Sequence, residues 1–343
     1  MSGRERIGFV RKSCIRKRIP LEVGALERDP LEVRPLESQT ELAACVVLQK
    51  RIWGHDYEDV VPASVLKVSQ NVGGVAMGAF LNGEGPLGFV YGLTGVRKGH
   101  LTHWSHMLGV LKEHRGKGIG QRLKQAQREW LVARGVREMR WTFDPLVSGN
   151  AHFNLNCLGV RIHKYVPEMY GDTGSALHSF GTDRFIVHWD LAPGEGTAVP
   201  GRDREIYADR RTGAGGSDGS PAAGGDGEVH VEGRTGPGES DGPPADGGWD
   251  DAPVLARDAS TNGTADLSGD GRPRALRIEI PRSIVAVNRA DPARALAWRE
   301  ATRKAFLESW RAGYRVDGFS RAQDGERCHY LLRAEVPAGS GAR

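Results

Sequence analysis

Long apolar runs are missing from this chain of 343 residues. None reaches the roughly 18 to 20 residues that span a bilayer, so no membrane helix is expected. Cysteine is scarce and scattered: Cys14, Cys45, Cys157 and Cys328 form no CxxC pair and no metal-ligand spacing. That pattern excludes a disulfide framework and a zinc site, and it leaves reduced thiols and a cytoplasmic location as the expectation, with no metal. The opening MSGRERIGFVRKSCIRKRIP carries seven Lys or Arg against one acid but lacks the apolar stretch of a secretory signal. Residues 1–31 therefore read as a basic, disordered tail. Its charge is not interleaved with aromatics, which argues against nucleic acid as a partner.

What is present is unevenly distributed. From Ala192 to Pro273 lie 19 of the 47 glycines and 16 acids against 7 arginines, a net of −9 in a chain whose total is +4. Such a segment buries too little surface to offset its ordering entropy, so 192–273 is expected to be a flexible linker.

Before it, strand and helix patterns alternate. A strand is expected over 32–36, then a helix over 39–54 opened by a Ser38/Glu41 capping box, and a helix over 62–72. Strands follow over 74–83, 85–95 and 100–111. A helix then carries Ile119, Leu123, Ala126, Trp130 and Ala133 at helical spacing as far as Gly135. A strand over 138–143, a short helix ending at Gly159, and strands over 160–166 and 182–189 complete this module.

After the linker come a strand over 275–281, a helix from Asp291 to Arg311, and a hairpin over 314–319 and 328–334. This β-α-β-β unit, 274–336, precedes a tail at 337–343 and is expected to dock on the first module, in cis or by exchange within a homodimer. The class is α/β: a mixed sheet with helices on both faces.

The strand over 100–111 runs into RGKGIG. A P-loop needs Lys followed by Ser or Thr, and here Gly118 follows Lys117. A dinucleotide fingerprint needs other glycine positions and an acid about twenty residues on, where the chain reads REMRW. What fits is a turn of exposed N–H groups at a helix start, with Arg115 and Lys117 adding charge and Gly116, Gly118 and Gly120 admitting a diphosphate.

With its place in the element order, Arg115, Gly116, Lys117, Gly118, Ile119 and Gly120 resemble the coenzyme A pyrophosphate signature of the GNAT acetyltransferase superfamily. The likeness covers about 32–191. The phrases LKQAQREW, WTFDPL, NAHFNLNCLG and TDRF look like a less-characterised branch of predicted GNAT acyltransferases with a C-terminal extension. The resemblance implies a GNAT-like, mostly antiparallel twisted sheet. It also implies acetyl-CoA or another acyl-CoA as co-substrate, and direct transfer of a short acyl group to a small-molecule amine, such as an amino acid. A non-catalytic acyl-CoA sensor or scaffold and a protein-lysine acetyltransferase are the alternatives.

In such a protein Leu108, Gly109, Val110 and Leu111 are expected to hold the pantetheine arm and the thioester oxygen, Gly109 permitting a bulge. His106 is the expected general base. The tyrosine that usually protonates the leaving thiolate falls at Leu155 here, so Tyr165 and Tyr170 are the substitutes. Asn150 and Asn154 are candidates for the pantetheine or adenylate. Asp144 is a candidate for the acceptor pocket, and Arg299 and Arg303, four apart on one helix, for a ligand carboxylate.

Overall fold

Ser38 opens the first helix by reciprocal hydrogen bonds: its Oγ accepts from Glu41 N–H at 3.1 Å and its own N–H donates to Glu41 Oε2 at 3.2 Å. Arg34 Nη2 donates to the same carboxylate at 2.7 Å, which ties the helix start to the strand before it. The computed structural model describes residues 31–171, 179–191, 249, 252–260, 267, 269, 271–321 and 327–335. The expected basic tail up to residue 30, most of the expected linker and the C-terminal tail lie outside these residues.

Strands β1 (Leu31–Pro35), β2 (Val75–Leu81), β3 (Gly88–Arg97), β4 (His100–Val110), β5 (Glu138–Phe143), β6 (Arg161–Val166) and β7 (Arg184–Asp190) form one sheet in the order β1-β2-β3-β4-β5-β7-β6. Every pairing is antiparallel except β4 with β5. Helices α1 (Gln39–Trp53) and α2 (Ala63–Asn71) lie before β2, and α3 (Ile119–Val132) follows β4. A Cβ on Gly109 of β4 would meet Ile52 and Trp53 of α1, whereas one on Gly88 of β3 would meet Leu123 of α3. The two helices therefore cover opposite faces of the sheet.

The stripe expected on α3 is rotated in the structure. Ile119, Leu123 and Leu131 are buried together with Lys124 and Gln127, while Trp130 is only half-buried and Ala133 is exposed. The helix meets the sheet on a face that includes two polar residues.

After β5, α4 (Ser148–Ala151) passes into one π turn over His152–Cys157. The second sheet has the order β10-β11-β9-β8, from β8 (Val254–Ala256), β9 (Ala275–Pro281), β10 (Tyr314–Arg321) and β11 (Arg327–Ala334), with α5 (Ile284–Ala290) and α6 (Pro292–Arg311) between β9 and β10. Two features correct the sequence reading. β8 lies inside the expected linker and pairs parallel to β9, its Leu255 and Ala256 buried. Three residues are too few for a periodicity to register. The separate helix α5, capped by Ser283, was not expected.

From Leu31 onward the described residues belong to one compact unit with a shared core. Its aromatic centre joins Phe185 of β7, Phe306 of α6 and Tyr330 of β11. Phe185 and Phe306 stand 4.9 Å apart between ring centroids, and Phe306 and Tyr330 stand 5.3 Å apart. Tyr330 Oη also donates to Pro145 O at 2.8 Å.

Candidate active site

β4 and β5 pair through only three residues, Thr102 with Glu138, His103 with Met139 and Trp104 with Arg140. Beyond them the strands part, and a small cleft opens. Its walls include Ser105, His106, Met107 and Leu108 of β4, Trp141, Thr142 and Phe143 of β5, Lys124 of α3, and Asn150, Phe153 and Asn154 of α4 and its π turn.

The parting exposes one edge of β4. Leu111 N–H donates across to Leu87 O at 2.9 Å, on the β3 side. Because N–H groups of successive residues point to opposite edges, Gly109 faces β3 as well, and Leu108 and Val110 face the cleft. Of the four backbone positions expected to hold a thioester and its arm, alternate ones are thus placed to do so, and Leu111 and Gly109 are not. Gly109 instead gives room to α1: an added Cβ would stand 2.8 Å from Ile52 Cδ1.

The bulge lies elsewhere on the strand. Gly92 and Tyr91 of β3 pair with Ser105 and Met107, so His106 is the extra residue. An added residue reverses which face the following side chains occupy. His103 and Ser105 point toward α3; after the bulge it is Leu108 and Val110 that do so, within reach of Gly120 and Gly88. His106 is half-buried on the other face, edge-on to Tyr91 at 5.9 Å, and Tyr91 Oη lies 2.8 Å from Ser69 of α2.

The glycine loop caps the wide end. Gly116 and Gly118 have φ of 73° and 76°, the left-handed region that L side chains rarely adopt, and Gly118 is the N-cap of α3. The first helical bond runs from Arg122 N to Gly118 O at 3.0 Å, so the N–H groups of Ile119, Gly120 and Gln121 point out of the helix end. Arg115 Nε donates to Val110 O at 3.0 Å and turns the loop back over the strand. A Cβ on Gly120 would make only an ordinary 3.7 Å contact with Phe153. This cradle of outward N–H groups beside Arg115 and Lys117 fits the diphosphate of an acyl-CoA.

A buried polar chain crosses the narrow end. Lys124 Nζ donates to Ser105 Oγ at 2.7 Å and to Gln127 Oε1 at 3.4 Å, and sits 3.8 Å from the centre of the Trp141 ring. Gln127 Nε2 donates to His103 Nε2 at 3.0 Å, which leaves the Nδ1 proton to Thr94 Oγ1 at 2.9 Å, and Thr94 Oγ1 donates to Gly73 O at 2.7 Å. Burial, and then the nearby Lys124, push His103 down to about 3, so it is neutral. Burial also holds Lys124 well below the usual lysine range.

Several candidates take other roles. Asn154 Oδ1 accepts from Trp141 Nε1 at 2.8 Å and its Nδ2 donates to Asn150 O at 2.8 Å, so this side chain braces the π turn. Asn150 Oδ1 is buried with no hydrogen-bond partner and remains available to a ligand. Tyr165 is buried outside the cleft; its hydroxyl donates to Asp183, and burial followed by that carboxylate drives it well above the usual tyrosine range. It is not placed to protonate a thiolate in the cleft. Tyr170 lies 3.1 Å from Thr142 Oγ1, a wall of the cleft.

Arg299 and Arg303 do meet carboxylates, but those of this chain. Arg299 Nε donates to Phe180 O at 2.9 Å and Nη2 to Asp144 Oδ2 at 2.5 Å. Arg303 grips Asp183 through Nε at 2.9 Å and Nη2 at 2.6 Å, and Glu168 through Nη1 at 2.8 Å. Asp144 also accepts Leu146 N–H at 2.8 Å. These residues fasten α6 to the first sheet, so the two guanidiniums are paired within the chain, and Arg299 Nη1 alone is buried with no hydrogen-bond partner. Lys124 escaped the sequence reading. The signal was present, since Gly120, Lys124, Gln127 and Leu131 share a helical stripe.

Among the described residues no group of three or more His, Cys, Asp or Glu could hold a metal ion, and no helix is long and apolar enough to cross a membrane. Residues 42–153 match the model of the acetyltransferase (GNAT) family, from the first helix through the glycine loop to the π turn. This segment is a GNAT acetyltransferase domain, and acyl transfer is the chemistry it supports. No curated protein matches the sequence. Similar solved structures include the ribosomal-protein-S18-alanine N-acetyltransferase of Escherichia coli, at 17% identity and a TM-score of 0.37, covering 49% of this chain and 98% of that one. Another is Arabidopsis thaliana Naa50 in complex with a bisubstrate analogue, CoA-Ac-MVNAL, at 16% identity and 0.37, covering 47% and 99%. A third is aminoglycoside 6'-acetyltransferase type Ii, at 16% and 0.38, covering 48% and 99%.

Proposed function

We propose that this protein transfers a short acyl group from an acyl-CoA to the amine of a small molecule, by direct attack in the cleft between β4 and β5. The observation that carries the reading is the parting of β4 from β5 directly ahead of the glycine cradle. An open strand edge for the arm and a helix start for the diphosphate then lie in line. In this placement Ile119, Gly120 and Gln121 N–H with Arg115 and Lys117 hold the diphosphate. Leu108 and Val110 N–H bind the arm and polarise the thioester oxygen; a backbone donor aimed at a developing oxyanion contributes about 3 kcal/mol. Asn150 Oδ1 accepts from an amide N–H of the arm.

His106, carried by the bulge onto the α1/α2 face, takes the proton from the attacking ammonium directly or through a water. The neutral amine then attacks the thioester carbon, the C–N bond forms, and the C–S bond breaks to leave a thiolate. Tyr170, held at the cleft wall by Thr142, supplies the proton to that thiolate in place of the absent tyrosine at Leu155, and the surplus proton on the new amide nitrogen restores the tyrosine, directly or through a water. Support for a small acceptor comes from the second sheet and α6. They close over the β6–β7 side, where Asn156 Nδ2 donates to Phe319 O at 3.1 Å.

The test is thiol release from acetyl-, propionyl- and succinyl-CoA over a panel of small amines and lysine peptides. Release with small amines supports the reading. CoA binding without turnover on any acceptor makes the protein a sensor, and release with peptides alone makes it a protein acetyltransferase.

A further inference from the structure

Lys124 is fully buried, lines the cleft, and has no carboxylate partner among the described residues. Its neighbours are Ser105 Oγ, the Gln127 amide and the face of Trp141. The buried arginines among the described residues all have carboxylate partners: Arg299 and Arg184 pair with Asp144, and Arg140 with Glu138. Burial without a counter-charge favours the neutral amine, and an anion placed beside it would favour the ammonium.

Its location along the cleft says what would meet it. If the diphosphate sits on the glycine loop, an arm laid along β4 runs from Val110 back toward Ser105, five residues or about 16 Å. Its acyl end then points to the narrow end of the parting, where Lys124, Ser105 and Trp141 form the floor. This placement rests on the acyl-CoA reading above.

We infer that the cleft takes a ligand bearing a carboxylate and that Lys124 is its counter-ion, while Ser105 Oγ, which accepts from Lys124 and donates to Gln127 Oε1 at 2.9 Å, holds the lysine in place. The carboxylate belongs either to the acyl group, as in a dicarboxylic acyl-CoA, or to an amino-acid acceptor. In both cases the ligand supplies the negative charge that favours the ammonium form of Lys124, and a neutral isostere does not.

Two comparisons on the full-length wild-type protein test this, both read by calorimetry and by initial rates. Succinyl-CoA is set against its methyl ester and butyryl-CoA, and amino acids against their decarboxylated amines. A preference of tenfold or more in the first pair assigns the carboxylate to the acyl group; the same preference in the second assigns it to the acceptor. In Lys124→Met, which keeps the volume and the helix, that ratio falls to near one. Absence of both preferences in the wild type overturns the inference even if the variant fails to fold, and so does a preference that survives in Lys124→Met. Failure of CoA itself to bind sinks the acyl-CoA reading, whereas CoA binding with no carboxylate preference sinks only the present one.

Discussion

Arg299 Nη2 reaches Asp144 Oδ2 at 2.5 Å across 155 residues of sequence, and both side chains are almost wholly buried. The pair joins α6 to the turn after β5, at the base of the first sheet. Arg299→Ala leaves the Asp144 carboxylate with Arg184 at 3.6 Å and the Leu146 N–H, and is expected to cost about 3 kcal/mol in urea unfolding. The double variant Arg299→Met with Asp144→Leu should lose less than the single one. Equal unfolding midpoints for wild type and Arg299→Ala would show that the pair does not hold the two parts together.

Stability should fall with acid before the carboxylates titrate. His103 has its folded value pushed down to about 3 by burial and then by Lys124, against about 6.5 in an unfolded chain. Between those values the unfolded state binds the extra proton, so stability is fully present above about pH 6.5 and is lost as pH falls toward 3. The slope from this group is about 1.4 kcal/mol per pH unit. His103→Gln should flatten the pH 4 to 6.5 part of the unfolding profile, and an unchanged slope would remove the assignment.

The two glycines at the start of α3 should respond differently. Gly118 sits at φ 76°, and Gly118→Ala is expected to cost about 1 kcal/mol and to weaken CoA binding at least tenfold by moving the turn. Gly120→Ala places its methyl 3.7 Å from Phe153 and should bind CoA within about threefold of wild type. Calorimetric titration of both variants checks the pair, and equal losses would argue against the cradle.

His106→Ala should lower kcat about a hundredfold, with little change in KM for the acyl-CoA. Tyr170→Phe should lower kcat about tenfold and raise the acyl-CoA dependence on leaving-group acidity. Both are read by thiol release; wild-type kcat in either variant ends that residue's role.

Much of the fold could be read from local rules. The capping box at Ser38, the helix start at Gly118 and the order of the strands each depend on a few neighbouring residues. Their physics is completed within a turn or a strand. β8 and α5 escaped because three residues of strand, or one short helix next to a longer one, carry too little periodicity to stand out.

The site divided differently. By itself the sequence determined the glycine cradle and the strand leading to it, because left-handed φ values and outward N–H groups follow from residue type and order. Only the tertiary structure decided the partners. A histidine's face depends on a bulge set by pairing with β3, and an arginine's carboxylate lies more than a hundred residues away. Whether a lysine is solvated or sealed depends on which helix face the sheet covers. Arg299 and Arg303 looked free for a ligand and pair with Asp144 and Asp183, while Lys124, which the sequence reading passed over, is sealed among Ser105, Gln127 and Trp141. Long-range packing makes that choice, since desolvation is a property of everything around a charge.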